Sequence, residues 1–194
     1  MNNINHALKN IGSNMLKTFT YLSLLLALTT WAAFAAETVS LGAKADALQY
    51  RCEIVSIYTQ LHEISFEYGE ILINEDEEVI YHASKVAEEA FEEVSKELET
   101  MYVPGSMNEP HQMLIKSVNT YTESARNIEK ALGIYIGLYE GEESEPLELV
   151  DKSEKLVVQA NKYLSTSLGM HEELLALDDE VSKSCKKYVA GIAY

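Results

Sequence analysis

The chain has 194 residues, of which 47% are hydrophobic, and 15 Lys and Arg residues against 31 Asp and Glu give a formal net charge of −16. This length suits one domain with a real core, and the apolar fraction excludes wholesale disorder. So acidic a surface repels phosphate backbones and anionic lipid head groups, which disfavours nucleic-acid binding. It is compatible with basic protein partners or divalent ions, although a merely soluble surface on long helices is the simpler interpretation.

Residues 1–35 have the pattern of an export signal. A stretch rich in Leu and Ala follows Lys17 and carries no charge before Glu37. Ala33 and Ala35 occupy the small-residue positions of a signal-peptidase site, which predicts cleavage after Ala35. Met15 would make a more compact start to this signal. We therefore expect an exported protein that is periplasmic or extracellular.

An uncleaved membrane anchor is the alternative interpretation of this segment. Residues 18–36 are 19 uncharged positions, which is close to the length that spans a bilayer. Several Thr and Ser residues dilute the hydrophobicity, however, and the small-residue ending favours cleavage. A membrane association is expected only if the segment stays attached.

The remaining residues, 36–194, are predicted to form a single all-α domain. Apolar residues recur at alternating steps of four and three along four segments, which is the heptad seam of a coiled coil or bundle helix. The seams run over Ala43–Ile71, Ile80–Met101, Leu114–Tyr139 and Leu149–Tyr188. The turn-forming stretches "INEDEE", "VPGS" and "EGEES" separate them. Four amphipathic helices joined by short turns predict an up-down-up-down four-helix bundle.

The motifs of the common helical enzymes are absent from the sequence. None of the residues three before His62, His82, His111 and His171 is Glu, so the di-metal carboxylate site of bundle proteins is excluded. The sequence contains no H-E-x-x-H, P-loop, G-x-S-x-G or C-x-x-C-H motif. We therefore expect no enzyme, no cofactor and no metal. A weak metal or proton site of His82 with Glu67 is the alternative, although incidental acidic neighbours of surface histidines are commoner.

The second helix carries paired glutamates that form a dense acidic face. The pairs are Glu88 with Glu89 and Glu92 with Glu93. A solvated face is the simplest interpretation, and a docking face for a basic partner is the alternative.

The seams contain many tyrosines, and the chain has 12 Tyr against 4 Phe. A buried tyrosine hydroxyl needs a hydrogen-bond partner, so this composition calls for an explanation. Short turns predict a layer in which small residues of three helices face two tyrosines. This candidate ligand-binding layer consists of Leu61, Ala87, Ala90, Tyr121, Ala125, Ala160 and Tyr163. The layer either packs solidly, as protein interiors usually do, or leaves a small-molecule pocket rimmed by Tyr121 and Tyr163.

The two cysteines, Cys52 and Cys185, are predicted to form a disulfide, since export leads to an oxidising compartment. The register opposes this pairing. Short turns place Cys52 level with about residue 171, and a straight helix would carry Cys185 roughly 21 Å further. The fourth helix must then break near Gly169 or at "LDDE", the first helix must be displaced, or the cysteines stay unpaired or pair between chains.

The sequence thus favours an exported, non-enzymatic bundle with a binding or structural role, chiefly the binding of another protein. The alternative is a small-ligand carrier or sensor that uses the interhelical pocket near Tyr121 and Tyr163.

Overall fold

The computed structural model describes residues 2–28, 41–139, 145–175 and 185. Over these ranges the protein is helical and contains no strand. A short 3-10 turn, Gly105–Met107, precedes the helix that begins at Asn108. The α-helices are α1 (Asn2–Leu28), α2 (Leu41–Asn74), α3 (Glu77–Thr100), α4 (Asn108–Tyr135) and α5 (Pro146–Leu175).

The helices pack as a bundle in which each lies against its neighbours in sequence, while α1 also lies against α5. Paired residues show that α3 and α4 run in opposite directions. Between α3 and α4, the numbers rise along one helix and fall along the other, as in the pairs Arg126–Glu88 and Ser95–Asn119. The all-helical prediction is confirmed for the described residues.

The helix ends follow from local chemistry. The Asp76 side chain accepts a hydrogen bond from the Val79 amide at 3.0 Å and so caps α3. The predicted third helix should reach Tyr139, but α4 ends at Tyr135. The cause is Gly137, whose φ of +80° reverses the chain. The Tyr139 ring then packs directly over Gly133, where a Cβ atom would clash with it.

The predicted seams form the core. Ile54, Ile57 and Leu61 of α2 are fully buried, as are many seam residues of α3, α4 and α5. Small residues let α4 and α5 approach closely. The hydroxyls of Ser124 and Ser153 each donate to the other residue's carbonyl oxygen, at 3.3 and 3.0 Å. These bonds satisfy polar groups that would otherwise be buried without partners.

The first helix was not expected in the core. Its residues Ala7, Leu8, Ile11 and Met15 are buried against α2 and α5. The predicted cleavage positions Ala33 and Ala35 lie outside the described residues, so cleavage stays a prediction.

Within the described residues, no helix is both long enough and apolar enough to cross a membrane.

Cys52 and Cys185 lie at disulfide distance, with their Cα atoms 5.0 Å apart. The predicted level of Cys52 is also correct, because Tyr50 lies beside His171. The fourth helix was expected to continue to Tyr188, but the described helix α5 ends at Leu175. Residues 176–184, in which the predicted break at "LDDE" falls, lie outside the described residues.

We expect reduction of this disulfide to destabilise the protein. The bond closes a loop over a sequence separation of 133, and loop-closure entropy predicts a loss of about 4–5 kcal/mol in the free energy of unfolding. Urea unfolding with and without reductant would measure this loss. The double variant Cys52→Ser/Cys185→Ser is the control, since reductant should leave it unchanged. An equal midpoint for oxidised and reduced protein would contradict the expectation.

Candidate functional site

An apolar groove of about 280 Å³ lies between α2 and α3. Its floor is formed by the buried residues Tyr68 and Ala87. Its walls are the partly exposed residues Ile64, Ile71, Ala83, Val86 and Ala90. The Tyr68 hydroxyl contacts Ser84 at 2.7 Å, so its polar group is satisfied inside the bundle and the ring faces the groove as an apolar surface.

Exposed glutamates follow this groove on both helices. On α2, helical spacing places three exposed glutamates along the outer edge, and on α3 it places three more. They are Glu63, Glu67 and Glu70 on α2, and Glu89, Glu93 and Glu97 on α3. We call these six residues the acidic rim. Lys85 is exposed one turn before Glu89 in the same row of α3.

The acidic face predicted on α3 is divided between two roles. Arg126 of α4 donates to Glu88 at 2.7 Å and to Glu92 at 3.0 Å, so these two carboxylates tie α3 to α4. Glu89 and Glu93 are exposed on the groove side and belong to the acidic rim. Only half of the predicted face is therefore directed to solvent beside apolar surface.

A second polar feature lies inside the bundle, near the disulfide-bonded end of α2. The Tyr50 hydroxyl lies 3.1 Å from His111 Nδ1 and 3.0 Å from His171 Nε2. His171 Nδ1 lies 2.9 Å from the Tyr58 hydroxyl, which lies 3.0 Å from Ser167 Oγ. We call these five residues the Tyr–His chain. All are at most 1% exposed.

The proton positions in the Tyr–His chain follow from its ends. His111 Nε2 lies 2.9 Å from the Leu98 carbonyl oxygen, which can only accept, so this nitrogen carries the proton. A neutral His111 must then accept from Tyr50 at Nδ1. Tyr50 in turn accepts from His171 Nε2–H, which leaves His171 Nδ1 to accept from Tyr58. This assignment gives each ring nitrogen a partner among these side chains and the Leu98 carbonyl group, while His171 also contacts the Ser167 backbone.

Burial keeps these groups neutral. Desolvation lowers the pKa of His171 to about 4, helped by the nearby His111 and opposed by a hydrogen bond to the Ser167 backbone. Desolvation likewise lowers the pKa of His111, opposed by its bond to Leu98. Burial raises the pKa of the Tyr50 and Tyr58 phenols well above their usual range. Neutral groups are what the one-directional hydrogen bonds require.

The Ser167–His171 contact does not form a usable nucleophile and base. Ser167 Oγ lies 3.3 Å from His171 Nδ1, but its proton goes to the Pro110 carbonyl oxygen at 2.6 Å. Both side chains are fully buried. The Tyr–His chain and the bond of His111 to Leu98 connect α2, α3, α4 and α5.

The predicted alanine–tyrosine layer is aligned differently from the expectation. The Phe91 ring, rather than Ala87, stacks on Tyr121, with centroids 5.3 Å apart, and the Tyr121 hydroxyl bonds to Asn161. The seven predicted residues differ in burial. Leu61, Ala87, Tyr121, Ala125 and Ala160 are buried, Ala90 forms part of the groove wall, and Tyr163 is partly exposed. A pocket rimmed by Tyr121 and Tyr163 stays a prediction.

His82 is exposed and its ring lies edge-on to Tyr81, with centroids 5.1 Å apart. Among the residues that the structure describes, no group of three or more His, Cys, Asp or Glu side chains could hold a metal ion.

Sequence reasoning missed the Tyr–His chain, although signals for it existed. Tyr50 and Tyr58 are eight residues apart, and Ser167 precedes His171 by one helical turn. The predicted level of Cys52 with residue 171 already placed Tyr50 beside His171. The buried hydroxyls needed partners, but the histidines were considered only as members of a metal or proton site or as surface residues.

Comparison with family models, curated proteins and solved structures found no match to this chain.

We expect acid to destabilise the protein through His171. The unfolded histidine has a pKa near 6.5 and the folded one a pKa of about 4. The free energy of unfolding should therefore be constant above pH 6.5 for this group and fall by roughly 3 kcal/mol as pH drops to 4, because only the unfolded state binds the proton. Urea unfolding of wild type and His171→Gln would measure the difference in slope.

Glu172 has the opposite effect on the free energy of unfolding at low pH. Burial raises the pKa of its carboxyl group, so the folded state binds that proton more tightly than the unfolded state does. Both proteins should therefore be compared in a Glu172→Gln background. His82→Gln, which removes an exposed histidine, is the matched control. A His171→Gln variant with the full wild-type acid dependence would show that His171 is not the responsible group.

Proposed function

We propose that this chain is an exported, non-enzymatic helical-bundle protein that binds a basic segment of another protein in the groove between α2 and α3. One observation carries the proposal. The groove combines an apolar floor and walls with the six glutamates of the acidic rim.

The apolar part of the groove offers binding energy, and the rim offers selection. Val86 is 65% exposed, although Val is a residue that helices usually bury in a seam. A partner that covers Val86 and the neighbouring alanines would remove this surface from water. Lys or Arg beside its apolar residues would meet Glu67 and Glu93, which favours basic partners and speeds their association.

Export and removal of the leader are parts of the same proposal. Cleavage after Ala35 would leave α2–α5 as an up-down-up-down four-helix bundle. The Cys52–Cys185 pair at disulfide distance supports an oxidising compartment, because such bonds are rare in the reducing cytosol. The high net negative charge favours solubility, which suits a secreted or periplasmic protein.

Site-specific photo-crosslinking tests the binding function. We expect a photoreactive p-benzoylphenylalanine at position 86 to give a covalent protein adduct in the exported fraction. The matched control is position 158, because Val158 is 55% exposed and its neighbours on α5, Asp151, Glu154 and Lys155, have mixed charge. The adduct at 86 should weaken several-fold when Glu67 and Glu93 are replaced by Gln, since the rim then loses two charges.

The same adducts from positions 86 and 158 would contradict the proposal. An adduct at position 86 that is unaffected by the two Gln replacements would contradict the proposal that the bound segment is basic. Labelling of position 86 by a small molecule alone would favour a ligand carrier.

A further inference from the structure

The first helix occupies a well-fitted seat between α2 and α5, centred on a contact between two glycines. A Cβ atom on Gly12 would lie 2.6 Å from the Gly69 carbonyl oxygen, and one on Gly69 would lie 3.3 Å from the Gly12 carbonyl oxygen. Backbone atoms cannot move aside as a flexible side chain can. Only small residues at these two positions allow α1 and α2 to approach so closely.

Residues 4–18 of α1 form an amphipathic helix that matches this seat. Around Gly12, the buried residues Leu8, Ile11 and Met15 follow the spacing of one helical face. The opposite face is polar and is formed by His6, Lys9, Asn10, Ser13 and Lys17. This half of α1 therefore has the pattern of a bundle helix that packs on one side only.

Polar bonds fix the axial position of α1. Asn5 Nδ2 donates to Glu77 Oε1 at 3.1 Å, at the start of α3. Asn161 Nδ2 of α5 donates to the Asn14 carbonyl oxygen at 3.3 Å. These bonds lie on either side of Gly12 along α1, so the seat specifies the register of the helix as well as its face.

We propose that the seat of α1 is a helix-exchange surface, in which α1 is replaced after cleavage by a partner helix of the same pattern. The inference rests on the proposed cleavage after Ala35, which would cut the covalent link between α1 and the bundle. The contact then changes from intramolecular to bimolecular, and the high effective concentration of α1 is lost. Departure of α1 uncovers Gly69 and the apolar side chains of Leu72 and Ile73 beside it.

The partner is defined by the chemistry of the seat. It carries a glycine or another very small residue at the central position, with large apolar residues four before, one before and three after it. Its opposite face is polar, as in α1. This surface differs from the groove between α2 and α3, because it admits a helix by backbone contact and selects by size rather than by charge.

Peptide exchange on the full chain tests this inference. A protease site placed between residues 29 and 40 allows the folded chain to be cut after purification. The probe is a fluorescent peptide of residues 4–18, and its anisotropy reports binding. We expect saturable binding to the cut chain and none to the intact chain, in which α1 still fills the seat.

Two matched variant peptides test whether binding depends on the small residue at position 12. Gly12→Leu should weaken binding by at least about 10-fold, because the added side chain meets backbone. Ser13→Leu adds the same bulk on the polar face and should bind within about threefold of wild type. Equal binding of both variant peptides would overturn the proposal. Unfolding of residues 36–194 on loss of α1, or a dimer formed through the vacated seat, would also overturn it.

Two measurements distinguish a protein that is not cleaved after Ala35 from a seat that does not bind the peptide. The mass of the protein recovered from the exported fraction reports whether residues 1–35 are removed. An exported protein that retains them would contradict the proposed cleavage, and with it the exchange in the cell. The anisotropy measurement reports on the seat independently of export.

Discussion

The architecture depends on the burial of one neutral imidazole. His171 is fully enclosed, and both of its ring nitrogens need a partner that water cannot supply. Tyr50 and Tyr58 of α2 provide these partners at 3.0 and 2.9 Å. Because an unmade bond in this environment costs about 1–3 kcal/mol, α2 and α5 have one favourable level relative to each other. His111 and the Leu98 carbonyl group extend the same constraint to α4 and to the end of α3.

This level has consequences at both ends of the bundle. At one end it sets Cys52 opposite residues near 171, and Cys185 lies with its Cα atom 5.0 Å from that of Cys52. At the other end α2 and α5 leave room for α1, which enters through the contact of Gly12 with Gly69. The two surfaces to which we assign binding, the groove and the seat, therefore lie on opposite sides of α2. A polar core that fixes the helices would allow both surfaces to bind partners without repacking the interior.

The sequence predicted the helices of residues 41–175 well, because heptad seams and turn residues are local signals. It placed a turn at "INEDEE", and the bond from the Val79 amide to Asp76 explains why α3 begins within that stretch. It could not predict the position of α3 along the bundle axis relative to α4, because a displacement by one helical turn leaves every seam apolar. Packing decides that Phe91, rather than Ala87, contacts Tyr121. The position of α1 was also beyond the sequence, because an apolar leader and an apolar bundle helix have the same composition.

The protonation of the two buried histidines tests the central claim most directly. Long-range proton–nitrogen NMR spectra of ring-labelled protein distinguish the two neutral tautomers from the imidazolium cation. At pH 7 we expect His111 and His171 both to be neutral and protonated at Nε2, and His171 to remain neutral down to about pH 5, since its pKa is about 4. A proton on Nδ1 of either ring, or an imidazolium at pH 7, would contradict the hydrogen-bond directions on which this account of the bundle depends.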